Sequence, residues 1–218
     1  MQLRMSSARS ETRRRIIITA AALAGMLGPV MFVTVLLALS ALQYDFMLEI
    51  GWCPLALGPY GLLQDANFVA SGLLLMLFAT GLHLGVGDTR GLGPALLFVA
   101  GTAMALMGFE SDPIQRVGPR SLHGLVHDAA FVLFISAMMA ALFSLWRGFR
   151  KDLRWRDHAR YTLATGMLAV LLLLLPGVAY YLFIVTLLAW IFVTAMRLWP
   201  RRQGRRRADG PLGDRTRL

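Results

Sequence analysis

Cysteine is almost absent from this chain: Cys53 stands alone among 218 residues. That excludes an internal disulfide and any cluster of thiolate metal ligands. Acids are scarce as well, 12 against 22 Lys plus Arg. No stretch is polar enough to form a soluble domain, so the net charge of +10 has no basic face on which to hold nucleic acid. The basic residues sit instead at the ends of apolar runs and in two short segments, as topology signals do. No internal repeat is evident, which weighs against a carrier built from two related halves.

What the chain has in quantity is apolar sequence. Hydrophobic residues make up 57% of it, and the mean hydropathy of +0.60 is too high for an ordinary soluble domain. Several runs approach the ~20 residues needed to cross a bilayer. The expected fold is all-α, a polytopic transmembrane bundle of six helices with both termini cytoplasmic.

In order, residues 1–15 form a basic N-terminus ending Arg13-Arg14-Arg15, and residues 16–199 form the six-helix domain. Residues 200–218 form a basic tail expected to be disordered. The first span, Ile16 to about Leu42, is longer than the ~7–15 residues of a signal peptide's apolar core and reads as a retained anchor. Gly25, Gly28 and Pro29 within it predict close helix contact and a kink. The loop 43–63 carries interfacial aromatics, and part of it is expected to fold back over the bundle. Further spans are read near Gln64–Leu84, Pro94–Phe109, Leu122–Trp146, Tyr161–Leu175 and from after Pro176-Gly177 to Trp199, with a basic loop at 147–160.

Counting Lys and Arg orients the bundle. The N-terminus, the 85–93 turn, the 147–160 loop and the tail together with Arg197 hold 5, 1, 6 and 8; the other side holds only Arg116 and Arg120. Such an imbalance places both termini in the cytoplasm and implies a plasma-membrane protein. The basic rim would also attract anionic lipid.

Half of the twelve acids then fall on the outer side: Asp45, Glu49, Asp65, Glu110, Asp112 and Asp128. Gln64, Asn67, Ser111, His123 and His127 join them. His123 and His127 are four apart and share a helix face, and Asp128 lies inside an otherwise apolar span. Two readings stay open for this corner. His123, His127 and Asp65, Asp112 or Asp128 could hold a divalent metal such as zinc, or act as acid and base. Alternatively the histidines simply hydrogen-bond acids, Asp65 caps a helix and Asp112 makes a turn before Pro113. The Glu of a His-Glu-x-x-His motif is absent, since Gly124 stands there.

Haem is disfavoured. Helix rise separates His83 from His127 by roughly 25 Å along the membrane normal, and His158 falls in the basic loop. Cys53 could act as a nucleophile only with a base beside it, and an inert thiol is the simpler reading.

Four segments occur in a distinctive order: Leu55-Ala56-Leu57-Gly58-Pro59-Tyr60-Gly61, Leu63-Gln64-Asp65-Ala66-Asn67-Phe68, Phe109-Glu110-Ser111-Asp112-Pro113 and Leu122-His123-Gly124-Leu125-Val126-His127-Asp128. With them the chain resembles, over about residues 16–199, the six-span bacterial and archaeal membrane proteins of the domain of unknown function 998 family. The resemblance implies a six-helix integral membrane protein and brings no activity with it. Trp52-Cys53-Pro54-Leu55 departs from the Ile-Ser-acid-Leu-like segment expected there, so no serine-dependent role carries over. Two function classes follow from the residues. One is a non-enzymatic protein with an outer His/Asp site that binds lipid or resembles a carrier. The other is a membrane-embedded hydrolase or transferase for a lipid-linked substrate.

Overall fold

The apolar runs become six α-helices: α1 (Gln2–Leu42), α2 (Gly61–Gly85), α3 (Leu92–Leu106), α4 (Leu122–Lys151), α5 (Arg156–Leu173) and α6 (Val178–Leu198). One short 3₁₀ turn, Cys53–Leu57, precedes α2. The computed structural model describes residues 2–43, 53–87, 91–109, 111–113, 117–175 and 177–200, with side chains from Arg9 onward. Among the described residues there is no strand. The aromatics at 44–52, the acids Asp45, Glu49 and Glu110, and the tail 201–218 lie outside them.

Each helix packs on the next, and α6 returns to α1, so the six close into a ring. Packing each helix against its sequence neighbour makes the neighbours antiparallel, through short connections at 86–91, 152–155 and 174–177 and longer ones at 43–60 and 107–121. One end of the ring therefore collects Arg14, Arg154 and Arg197, and the other collects His123 and His127. Around the outside, Leu73, Leu133, Met167, Leu171 and Val185 are exposed. Inside, Trp190, Phe78, Phe149 and Phe183 are fully buried. A helix that is apolar on its outward face and packed on its inward face is the pattern a lipid-embedded bundle requires.

Where lipid surrounds the helices, packing rather than water exclusion holds them together, so small residues sit at the crossings. A Cβ on Gly72 would come within 2.5 Å of the Ala105 nitrogen and the Gly101 oxygen, and one on Gly101 within 2.8 Å of the Gly72 oxygen. The α2 and α3 backbones thus touch through a pair of glycines. Gly25 does the same for α1, where a Cβ would reach the Phe78 ring at 2.6 Å and Ala195 at 2.7 Å. The close contact expected of this stretch is present, and α1 continues through Pro29.

Four helices, α1, α2, α4 and α6, are long and apolar enough to cross a membrane. The other two are shorter: α3 has 15 residues, close to the span read at Pro94–Phe109, and α5 has 18, three more than the span read at Tyr161–Leu175. At ~1.5 Å per residue they extend roughly 22 and 27 Å. Three boundaries also move. The first helix reaches back through the basic N-terminus, whose polar residues are good helix formers. Helix α4 runs on to Lys151 and α5 starts at Arg156, so the basic loop shrinks to residues 152–155. His158 is therefore not a loop residue. It is buried in the first turn of α5, its Nε2 2.8 Å from Thr194 Oγ1, amid the rings of Phe149, Trp155 and Tyr161.

Candidate functional site

The connection between α3 and α4 builds the histidine end of the ring. Ser121 is the N-cap of α4, accepting the Gly124 N–H at 2.9 Å. Asp112 is buried and accepts the Ser121 N–H through Oδ2 at 2.8 Å. Its carboxylate lies where a Cβ on residue 124 would be, so glycine at that position lets the loop settle on the helix start. Asp112 thus neutralises the positive end of α4 and extends its cap, which accounts for an acid buried in an apolar bundle.

His127 lies one turn deeper and is also buried. Its Nδ1 is 3.0 Å from the Met107 carbonyl oxygen and 2.8 Å from that of Phe109. Two carbonyls can only accept, so Nδ1 carries the proton and donates to the frayed end of α3. Of the two neutral tautomers this selects the one with the proton on Nδ1, in which Nε2 carries the lone pair. Nε2 is buried, with no hydrogen-bond partner in the protein. The Phe68 ring meets the imidazole edge-on, centroids 6.1 Å apart.

The other expected site residues surround the same turn less intimately. His123 is exposed, its ring 5.9 Å from that of Phe109. Asp128 is half-buried and ion-paired with Arg120 at 3.3 Å. Both partners are half-exposed, so the pair contributes only ~0–1 kcal/mol. Asp65 is half-buried in the second turn of α2, where a Cβ on Gly108 would come within 3.1 Å of its backbone oxygen. Among the described residues, no three of His, Cys, Asp and Glu gather as a metal ion would need.

A second polar group lies on α2. Gln64, Asn67 and Ser71 are all buried, spaced i, i+3, i+7 and therefore on one helix face. Asn67 Nδ2 donates to the Phe32 carbonyl at 3.3 Å and to Gln64 Oε1 at 3.4 Å. This network orients both amides. It leaves Gln64 Nε2, Asn67 Oδ1 and Ser71 Oγ buried without a protein partner. Such atoms are costly in an apolar interior unless water or a ligand meets them. Ser71 carried no motif in the sequence, although its register with Gln64 and Asn67 was there to be read. Gln43 was also overlooked: at the end of α1 its Nε2 donates to the Leu55 carbonyl at 2.7 Å. Its Oε1 accepts the Tyr60 N–H at 3.3 Å. This clamp holds the 3₁₀ turn over the bundle, with Pro54, Leu55 and Ala56 buried, as the fold-back expectation required.

Beneath the turn the ring encloses an apolar cavity of about 40 Å³, lined by Phe32, Phe68, Met104, Phe134, Tyr180 and Leu188 among others. That exceeds the ~10–15 Å³ that one water needs on the same measure. A second cavity, about 20 Å³, adjoins it through Phe32, Met104 and Leu188, and Ser71 lines its wall. Cys53 also borders the larger cavity. Burial, and then the charge of Asp128, push its thiol up to about 12. A thiol held neutral is a poor nucleophile, which supports the inert reading of Cys53.

No curated protein and no solved structure matches this chain. One family does: the profile described as a protein of unknown function, DUF998, matches residues 24–197, from within α1 to the last turn of α6. That span takes in the helix ring, the α3–α4 turn and the cavity beneath it, and the chain belongs to this family.

Proposed function

We propose that this is a multi-pass protein of the plasma membrane, with both termini cytoplasmic, which binds an amphiphile at its outer end without chemically transforming it. The observation that carries the reading is the apolar cavity, whose adjoining chamber has on its wall the buried Ser71 Oγ, an atom with no hydrogen-bond partner among the described residues. The apolar walls suit hydrocarbon, and a volume of about 40 Å³ admits a short stretch of alkyl or isoprenoid chain rather than a whole lipid. Ser71 Oγ defines the polar portion, since a hydroxyl can donate or accept. A hydroxyl or amide headgroup offers both. Asp112 and the Gln43 clamp then serve to hold the mouth in place, while His123, Asp65 and Asp128 line its approach. The orientation rests on the twenty-to-two distribution of Lys and Arg.

A hydrolase or transferase reading draws on one feature, the tautomer of His127. A backbone carbonyl on Nδ1 and a bare Nε2 are what a general base needs. Among the described residues, no second group lies within hydrogen-bonding distance of Nε2 to bear or orient a nucleophile. Metal assistance would require Nε2, His123 and an acid to meet at one ion. Both readings separate in one experiment. Solvent extraction of the purified protein, followed by mass analysis, should recover an amphiphile near one per chain, enriched over the bulk lipid and chemically unaltered on prolonged incubation. Recovery of bulk lipid only would end the binding reading; conversion of the bound compound would establish the enzymatic one.

A further inference from the structure

The outer surface between α4 and α5, at the arginine end, carries a groove of about 670 Å³. Arg150 from α4 and Arg156 and Arg160 from α5 stand at its head. Leu163, Ala164 and Met167 continue it toward the middle of the bundle. On α5 these residues follow at i, i+4, i+7, i+8 and i+11, so one helix face passes from guanidinium to hydrocarbon. From Arg156 to Met167 the rise is roughly 16 Å, about half of a ~30 Å hydrocarbon core.

The charges of this groove are uncompensated. Among the described residues, none of Arg150, Arg156 and Arg160 has an acidic partner; Arg150 lies over the Trp146 ring, 5.2 Å from its centroid. The other basic cleft at this end differs. There Arg14 and Arg197 donate to the Leu84 and Arg154 carbonyls, while Arg15 and Arg154 pair with Glu11 and Asp152. Three free guanidiniums at the head of an apolar trough call for a phosphate joined to a hydrocarbon tail. The groove also flanks α5, which is short and carries Arg156, Asp157 and Arg160 in its first five residues. A seated lipid would give those charges a counterion and cover the shorter helix.

We propose that this groove is a specific site for one anionic phospholipid of the leaflet at the arginine end. Its phosphate is held by Arg150, Arg156 and Arg160, and an acyl chain lies along Leu163, Ala164 and Met167. The site rests on the membrane reading above but not on the amphiphile cavity, which lies at the opposite end.

The test is native mass spectrometry of protein released from nanodiscs of mixed phosphatidylglycerol and phosphatidylcholine. The wild-type chain should retain one phosphatidylglycerol. The triple variant Arg150→Gln/Arg156→Gln/Arg160→Gln should lower retention by at least about tenfold. An equal charge change elsewhere, Arg9→Gln/Arg13→Gln/Arg147→Gln, should lower it less than about twofold. Ala164→Trp, which fills the exposed trough and leaves the charges in place, should also displace the lipid. Equal losses from both triple variants would reduce the site to general rim charge and overturn the proposal. So would retention unchanged by Ala164→Trp, or displacement of the lipid by millimolar glycerol phosphate, which would make the ligand a soluble anion. Failure of the chain to enter nanodiscs at all would count against the membrane reading instead. Helical circular dichroism of every variant excludes unfolding as the cause of a loss.

Discussion

The imidazole of His127 hangs from the end of the preceding helix, its Nδ1 2.8 Å from the carbonyl oxygen of Phe109. The Met107 carbonyl shares the same proton at 3.0 Å. Helix α3 ends without a conventional C-cap residue in the left-handed conformation, Met107 having φ −66° and ψ −7°. The histidine of α4 supplies the donor that this helix end would otherwise lack.

His127→Phe should therefore lower thermal stability in detergent by the equivalent of ~1–3 kcal/mol, because the buried Met107 carbonyl and the part-buried Phe109 carbonyl lose their donor while the ring volume is kept. His127→Asn should recover part of the loss, since its amide can donate in the same direction. Unchanged melting in both variants would show that the two hydrogen bonds contribute nothing net.

Gly124 makes a sharper case, because two effects oppose each other there. Alanine is favoured over glycine inside a helix by ~1 kcal/mol. Here its Cβ would enter the space of the Asp112 carboxylate and displace the cap from Ser121. Gly124→Ala should accordingly destabilise the protein, and adding it to Asp112→Ala should cost little more, because both break one interaction. Thermal unfolding of the two single variants and the double checks this. A stabilising Gly124→Ala would contradict the packing of Asp112 on α4.

Orientation is accessible to labelling. In a Cys53→Ala background, Val117→Cys should react with an impermeant maleimide on intact cells, and Leu153→Cys only after permeabilisation. Both positions are strongly exposed, 98% and 79%, so failure to react would report the membrane barrier rather than burial. The opposite pattern would place the histidine end in the cytoplasm.

The six-helix bundle was legible from hydropathy, as six apolar runs in order, whereas its closure into a ring through α6 and α1 was not. The start of α5 was less legible, because charged residues at Arg156, Asp157 and Arg160 continue a helix that apolar counting begins at Tyr161. The histidine end was legible as a cluster but not as a mechanism. Spacing showed that His123 and His127 share a face, yet depth divides them: one is exposed at the rim and the other buried beneath α3. Asp112 was visible as a turn residue; that it caps a helix nine residues later depends on Gly124 having no side chain. Gln64 and Asn67 of α2 were legible as members of the polar corner, but the burial of their face was not. Only the closure of α6 onto α1 turns their face inward, and that is a long-range event with no local signature.

In the proposed function the cavity beneath the α3–α4 turn holds a short apolar stretch of a bound amphiphile. Leu188 borders both of its chambers and is only partly buried, so Leu188→Phe should fill the space while leaving the ring intact. Native mass spectrometry of the gently purified wild-type chain should show a bound mass near one per protein, and Leu188→Phe should reduce its occupancy by about tenfold or more, as loss of a well-fitted apolar contact does. The variant should melt at or above the wild-type temperature once ligand is stripped from both. Equal occupancy in the two proteins, or no bound mass in the wild type, would contradict the account.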